Sequence, residues 1–148
     1  MTFQTTKHTI SLTRFIPAAT SEIYAAWTDP QRMTLWLGNV TADVRVGGRY
    51  RFESPAENSG TYIYTGEYLV LEADRRVVQS FLAGEPDPNV PNPYMNEYLE
   101  IQLREIAPEQ TELTFINGWE GEALNEEATI AVRAAWSEWI DRMQKSLP

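Results

Sequence analysis

The feature that most limits how this chain can fold is its last helix. From about Asn125 to Leu147 the apolar residues Ala128, Val132, Ala135, Trp136, Trp139, Met143 and Leu147 recur at spacings of three and four, which places them on one face of an α-helix. Most of the chain before it alternates with period two, so the partner available to that face is a sheet. A helix laid on a curved antiparallel sheet buries its apolar stripe, and because sheets twist the two surfaces do not meet everywhere. The expectation is an interior cavity between helix and sheet.

Lys7 to Ile16 reads as a half-buried strand with His8, Ile10, Leu12 and Arg14 on one side. Pro17 stops it, and Thr20 or Ser21 is placed to cap a short helix through Trp27, with Ile23, Tyr24 and Trp27 on one face. Asp29-Pro30 ends that helix and starts another, carrying Met33, Leu35 and Trp36. Six strands are then expected: Val40 to Val46, Arg49 to Phe52, Gly60 to Leu71, Arg76 to Leu82, Tyr98 to Glu105 and Thr111 to Ile116. Gly47-Gly48 is read as a tight hairpin turn, and Ala107 to Gln110 as the turn of the last hairpin. On the longest strand Tyr62, Tyr64, Gly66, Tyr68 and Val70 share one face, while Ile63, Leu69 and Leu71 point outward. Gly84 to Pro93 holds four prolines in ten residues, so it is a long loop, and with Tyr94 and Met95 it is a candidate lid. The fold class is therefore α+β: a curved antiparallel sheet of six or seven strands gripping a long C-terminal helix, with two short helices after the first strand. A single domain over residues 1–148 is expected.

A net charge of −9 argues against nucleic acid, whose phosphates need clustered cations, and against a membrane surface. The chain has no cysteine and one histidine, which leaves no disulfide framework, no thiolate zinc site and no thiol nucleophile. His8 is read as a surface strand residue, so no serine triad or metal site is expected and no cofactor is implied. No apolar segment suits a secretory signal or a bilayer span, and a cytoplasmic protein is expected. The acidic group Glu120, Glu122, Glu126 and Glu127 is read as complementing the helix dipole rather than binding calcium.

Four stretches carry a family resemblance. They are Thr13 to Pro30 with Leu35-Trp36-Leu37-Gly38; Val46 to Phe52; Gly60 with Tyr64 to Tyr68 and on to Val78; and Thr111 to Thr114 together with Ala135 to Ile140. Their order and spacing resemble the START-like, helix-grip superfamily, and within it the group similar to the C-terminal domain of the activator of Hsp90 ATPase. The resemblance implies a cavity between helix and sheet that serves lipid carriers, hormone receptors and polyketide cyclases. The group usually has Trp-Gly-Pro where this chain has Trp36-Leu37-Gly38, and glycine where it has Ala135.

Tyr62, Tyr64 and Tyr68, with Phe52 and Phe81 from neighbouring strands and Trp136 and Trp139 from the helix, are the candidate cavity lining, because such rings pair an apolar body with a polar tip. Trp36, Tyr94 and Trp119 complete it. Arg49 and Glu97 are the charged candidates: either one, if it points inward, needs a hydrogen-bonding partner that a ligand could supply. The leading expectation is a binding protein for a small hydrophobic or aromatic molecule, with an interior void of several hundred cubic ångströms. The rivals are a cyclase or dehydratase that uses Glu97, Arg49 or a tyrosine, and a chaperone-interaction module, which the acidic composition disfavours. Outward apolar residues on the long strand leave a homodimer open.

Overall fold

The alternating segments pair into one antiparallel sheet, and the terminal helix crosses its concave face. A computed structural model describes residues 6–55, 60–85, 87, 89 and 92–148. The elements run β1 (Lys7–Ile16), α1 (Thr20–Thr28), α2 (Pro30–Leu37), β2 (Asn39–Ala42), β3 (Arg49–Pro55), β4 (Thr61–Glu72), β5 (Arg76–Ser80), β6 (Leu82–Ala83), β7 (Tyr94–Ala107), β8 (Gln110–Gly121) and α3 (Glu126–Lys145). The strand order is β1-β8-β7-β5-β4-β3-β2, with the short β6 added beside β4. Pro86, Pro88, Val90 and Pro91 of the proline-rich loop lie outside the described residues.

Local chemistry explains most of the boundaries. The Asn125 side chain caps α3 by accepting from the Ala128 amide at 2.7 Å. Glu126 and Glu127 occupy the first turn of that helix and Arg142 and Lys145 the last, each matched to the end of the dipole it faces. Asp29 caps α2 through the Gln31 amide, with Pro30 in the first turn. For α1 the expected Thr20 or Ser21 cap gives way to Ala19, whose carbonyl accepts from Glu22 and Ile23 and whose side chain makes no cap bond.

Four other expectations are corrected. Gly47-Gly48 is not a two-residue turn: Ala42 pairs with Tyr50, so β2 stops short of Val46 and the connection runs from Asp43 to Gly48. Gly48 is needed there because a Cβ would lie 1.9 Å from the Asp43 carbonyl oxygen. On β4, Tyr68 pairs with Gln79 but Val70 with Val78, a bulge that absorbs one residue. The alternation therefore flips, Leu71 packs onto the core, and Leu69 is left 44% exposed. On α3, Ala135 is exposed and Ile140, at 1% exposure, takes its place on the buried face. The interior, finally, is not the expected void of several hundred cubic ångströms, as its geometry below makes plain.

The sheet curves where β4 meets the end of β5. Gly66 faces inward opposite Tyr50, and the Tyr50 hydroxyl reaches past it to donate to the Ser80 carbonyl at 2.5 Å. A Cβ at Gly66 would stand 2.0 Å from that same carbonyl oxygen and 2.6 Å from the Tyr50 ring. Both neighbours are held, one by the backbone and one by its hydrogen bond. Gly66→Ala should therefore lower stability by about 1–3 kcal/mol, as overpacking does, and urea unfolding followed by tryptophan fluorescence would measure the loss.

Candidate functional site: an aromatic interior with a polar seam

The inward face of the sheet and the buried face of α3 meet almost entirely through rings. Trp136 packs against Phe115 at 5.0 Å and Phe81 at 5.5 Å between centroids, and Trp139 sets its edge on Tyr64 at 5.3 Å and Phe52 at 5.8 Å. Trp36 of α2 closes the far side, 4.9 Å from Trp27 and 6.4 Å from Trp139, and its indole N–H donates to the Ala26 carbonyl. Edge-to-face and offset contacts of this kind favour rings over aliphatic side chains, because the positive ring edge meets the negative ring face. Arg14 ties α3 to the first strand, through the Ser137 hydroxyl at 2.7 Å and the Asp141 carboxylate.

These rings leave little space. Among the described residues a cavity of about 10 Å³ lies between α2, α3 and the sheet, with Trp27, Trp36, Tyr50, Tyr68, Gln79 and Trp139 among its lining residues. That is room for about one water molecule, whereas ligand pockets usually span hundreds of cubic ångströms. The side chains expected to line a void fill it instead.

A polar seam crosses this interior. The Trp136 indole N–H donates to the Asn117 side-chain oxygen at 3.0 Å, and the Asn117 amide donates to the Glu97 carboxylate at 3.1 Å and to the Tyr98 carbonyl at 3.2 Å. Asn117 is buried in the inward row of β8 between Phe115 and Trp119. Glu97 sits beside an irregularity in the β7–β8 pairing between Met95 and Tyr98, where Asn96 adopts a φ of 51°. Burial pushes the Glu97 carboxyl above its ordinary range, and the hydrogen bond from Asn117 offsets this only in part. Glu97 also borders the surface hollow of about 260 Å³ that contains Arg49, Ser80 and Tyr94. The seam thus runs from the surface to an indole of the central helix.

The sequence-derived candidates divide accordingly. Trp36, Phe52, Tyr64, Tyr68, Phe81, Trp136 and Trp139 come together in one core cluster. Tyr94 and Trp119 form a second group at the far end of the sheet, 6.4 Å apart, with the His8 ring 5.5 Å from Trp119 and its Nε2 at 3.0 Å from the Gly121 carbonyl. Tyr62 is 56% exposed and touches only the rim through Tyr64, and Arg49 is exposed, so neither lines the interior. Glu97 is the charged candidate that turns inward. Sequence reasoning missed Tyr50, Gln79 and Asn117. Asn117 was detectable as the one polar residue in the series Leu113, Phe115, Asn117, Trp119, but ending the expected strand at Ile116 hid it.

The same architecture occurs in solved structures. Protein CV1439 from Chromobacterium violaceum superposes with a TM-score of 0.74 at 22% identity, over 94% of this chain and 96% of that one. Protein Mll3558 from Rhizobium loti gives 0.74 at 16% identity, over 98% and 100%. The Aha1 dimer from Colwellia psychrerythraea, known from a solution structure, gives 0.71 at 18% identity, over 95% and 96%. These likenesses establish the fold. Among curated proteins, none matches the chain. Residues 17–147 match the family described as Activator of Hsp90 ATPase homolog 1-like protein, and the chain belongs to that family, with the START-like, helix-grip architecture its residues led us to expect.

Proposed function

We propose that this is a cytoplasmic binding protein for a small hydrophobic or aromatic molecule, held between α3 and the sheet, and that the closed interior is its ligand-free state. The observation that carries this reading is the seam from Glu97 through Asn117 to Trp136. A core that served packing alone gains nothing from a carboxylate and an amide in its aromatic wall. Each buried polar group costs free energy unless it is fully paired, and departures from an apolar core tend to mark function. Apolar surround with a few convergent polar groups is also the usual make-up of a small-molecule site. Trp139 is only partly buried, so turning its ring outward is the simplest way to make room.

A second reading, a cyclase or dehydratase, has one observation in its favour: Glu97 is an inward carboxyl whose proton affinity is raised, as a general acid requires. The Hsp90-activator reading rests on the family description, and no surface feature described above adds to it. A homodimer has the exposed Leu69 on the outer sheet face to draw on, and the Colwellia protein, of the same fold, is a dimer.

Two measurements follow. A thermal-shift screen with fatty acids, flavonoids and aromatic polyketides should find at least one class that raises the melting temperature, by an amount that grows with concentration; about 2.7 kcal/mol of added stability is expected at a hundred times the dissociation constant. Uniform failure, with unchanged tryptophan emission, would leave only the packing role. For Glu97 the sign is set by its raised pKa. Between the ordinary 4.5 and the raised value the native state binds more protons than the unfolded state, so this group's contribution falls as pH rises through that window. Glu97→Gln keeps the acceptor for Asn117 and removes the charge. Its stability relative to the native chain should therefore increase from pH 4.5 upward, then level off, in urea titrations at stepped pH.

A further inference from the structure

The Glu97 seam leaves a second set of polar groups unused. Trp27 is 5% exposed, and its indole N–H has no acceptor among the described residues. The Tyr68 hydroxyl, on a side chain 1% exposed, has only the Met33 sulfur at 4.0 Å, a weak acceptor. Gln79 is 6% exposed. All three line the 10 Å³ cavity, whereas the Trp136 indole has its own partner in Asn117.

We propose that Trp27 and Tyr68 form a seat for a neutral acceptor oxygen, and that the ligand class is a planar aromatic ketone. The proposal rests on the reading of the interior as a ligand site and names its chemistry. An indole N–H can only donate, so the atom it meets must accept, which excludes protonated amines and other cations. Among the described lining residues there is neither Lys nor Arg, so a carboxylate or phosphate would be buried without a counter-charge, at high cost. A carbonyl oxygen has two lone pairs, enough for both donors. Burial raises the Tyr68 hydroxyl to about 12, which keeps it a donor at neutral pH. The ring requirement comes from the walls: Trp27, Trp36 and Trp139 stand edge to face around the cavity. Trp139 is the lining ring that reaches solvent, and its outward rotation frees a slot of indole size beside the two donors.

Chromone, a bicyclic aromatic ketone, and naphthalene, a similar bicycle without oxygen, separate the seat from simple apolar filling. Calorimetric or NMR titration of the native chain should give chromone binding at least ten times tighter. Trp27→Phe and Tyr68→Phe each keep a ring and remove a donor, and each should weaken chromone about tenfold while leaving naphthalene unchanged. Chromone bound no more tightly than naphthalene, or unaffected by both substitutions, overturns the oxygen seat while interior binding stands. If neither probe binds and the wider screen also fails, the ligand reading falls and the seat with it.

Discussion

The contact between the tryptophan face of α3 and the concave sheet governs the rest of the structure. The other direct ties described for this helix are Arg14 from β1 and Asn117 of β8, which accepts from the Trp136 indole, so its position is decided chiefly by where Trp136 and Trp139 find rings to meet. Those rings arrive from β8, β4, β3 and α2, elements far apart in sequence, and they converge only if the sheet curls. The bulge on β4 and the side-chain-free position at Gly66 provide that curl by letting the Tyr50 ring lie against the strand. A flat sheet would leave the Phe52 and Phe115 rings too far apart for one helix to cover.

What was legible in the sequence were the features set by local rules. The period of α3, the Asp29-Pro30 junction and the two-residue alternation of β1, β7 and β8 follow from backbone geometry and capping, and their order sufficed for the fold. Features set by packing were not legible. Nothing local distinguishes Leu69 from Leu71, yet one bulge sends the first outward and the second into the core. Ala135 and Ile140 both lie close to the apolar stripe, and the sheet surface they meet chose between them. The interior volume depends on how six or seven rings interdigitate at close-packed density, which no pattern along the chain encodes. Glu97 is the instructive case: its residue type raised the question, but its direction was decided by the irregularity beside Asn96.

Two polar features therefore share one aromatic interior, in one row of the sheet where Gln79 pairs with Leu99 and Leu99 with Asn117. The seam at Glu97, Asn117 and Trp136 is paired and reaches the surface. The pair Trp27 and Tyr68 is enclosed and poorly paired. If both existed only to fix the packing, the second should be satisfied like the first, since an unmet buried donor lowers stability without adding specificity. The difference is explained when the second group waits for a partner that the closed interior does not hold.

A closed interior sets a condition on any ligand. Opening must displace Trp139 from its contacts with Trp36, Phe52, Tyr64 and Trp136, aromatic pairs each worth about 0.5–1.5 kcal/mol. The open form is then a minor population, and the observed affinity is the intrinsic affinity reduced by its fraction, about tenfold for each 1.4 kcal/mol of opening cost. A ligand overcomes this only with interactions that the closed state lacks. Replacing one indole by another planar ring restores the stacking and gains nothing net. An acceptor oxygen placed against Trp27 and Tyr68 gains one hydrogen bond that no described residue makes in the closed form and replaces the weak Met33 contact by a stronger one. The unmet donors thus give the closed protein its reason to open for one chemistry and not for apolar molecules at large.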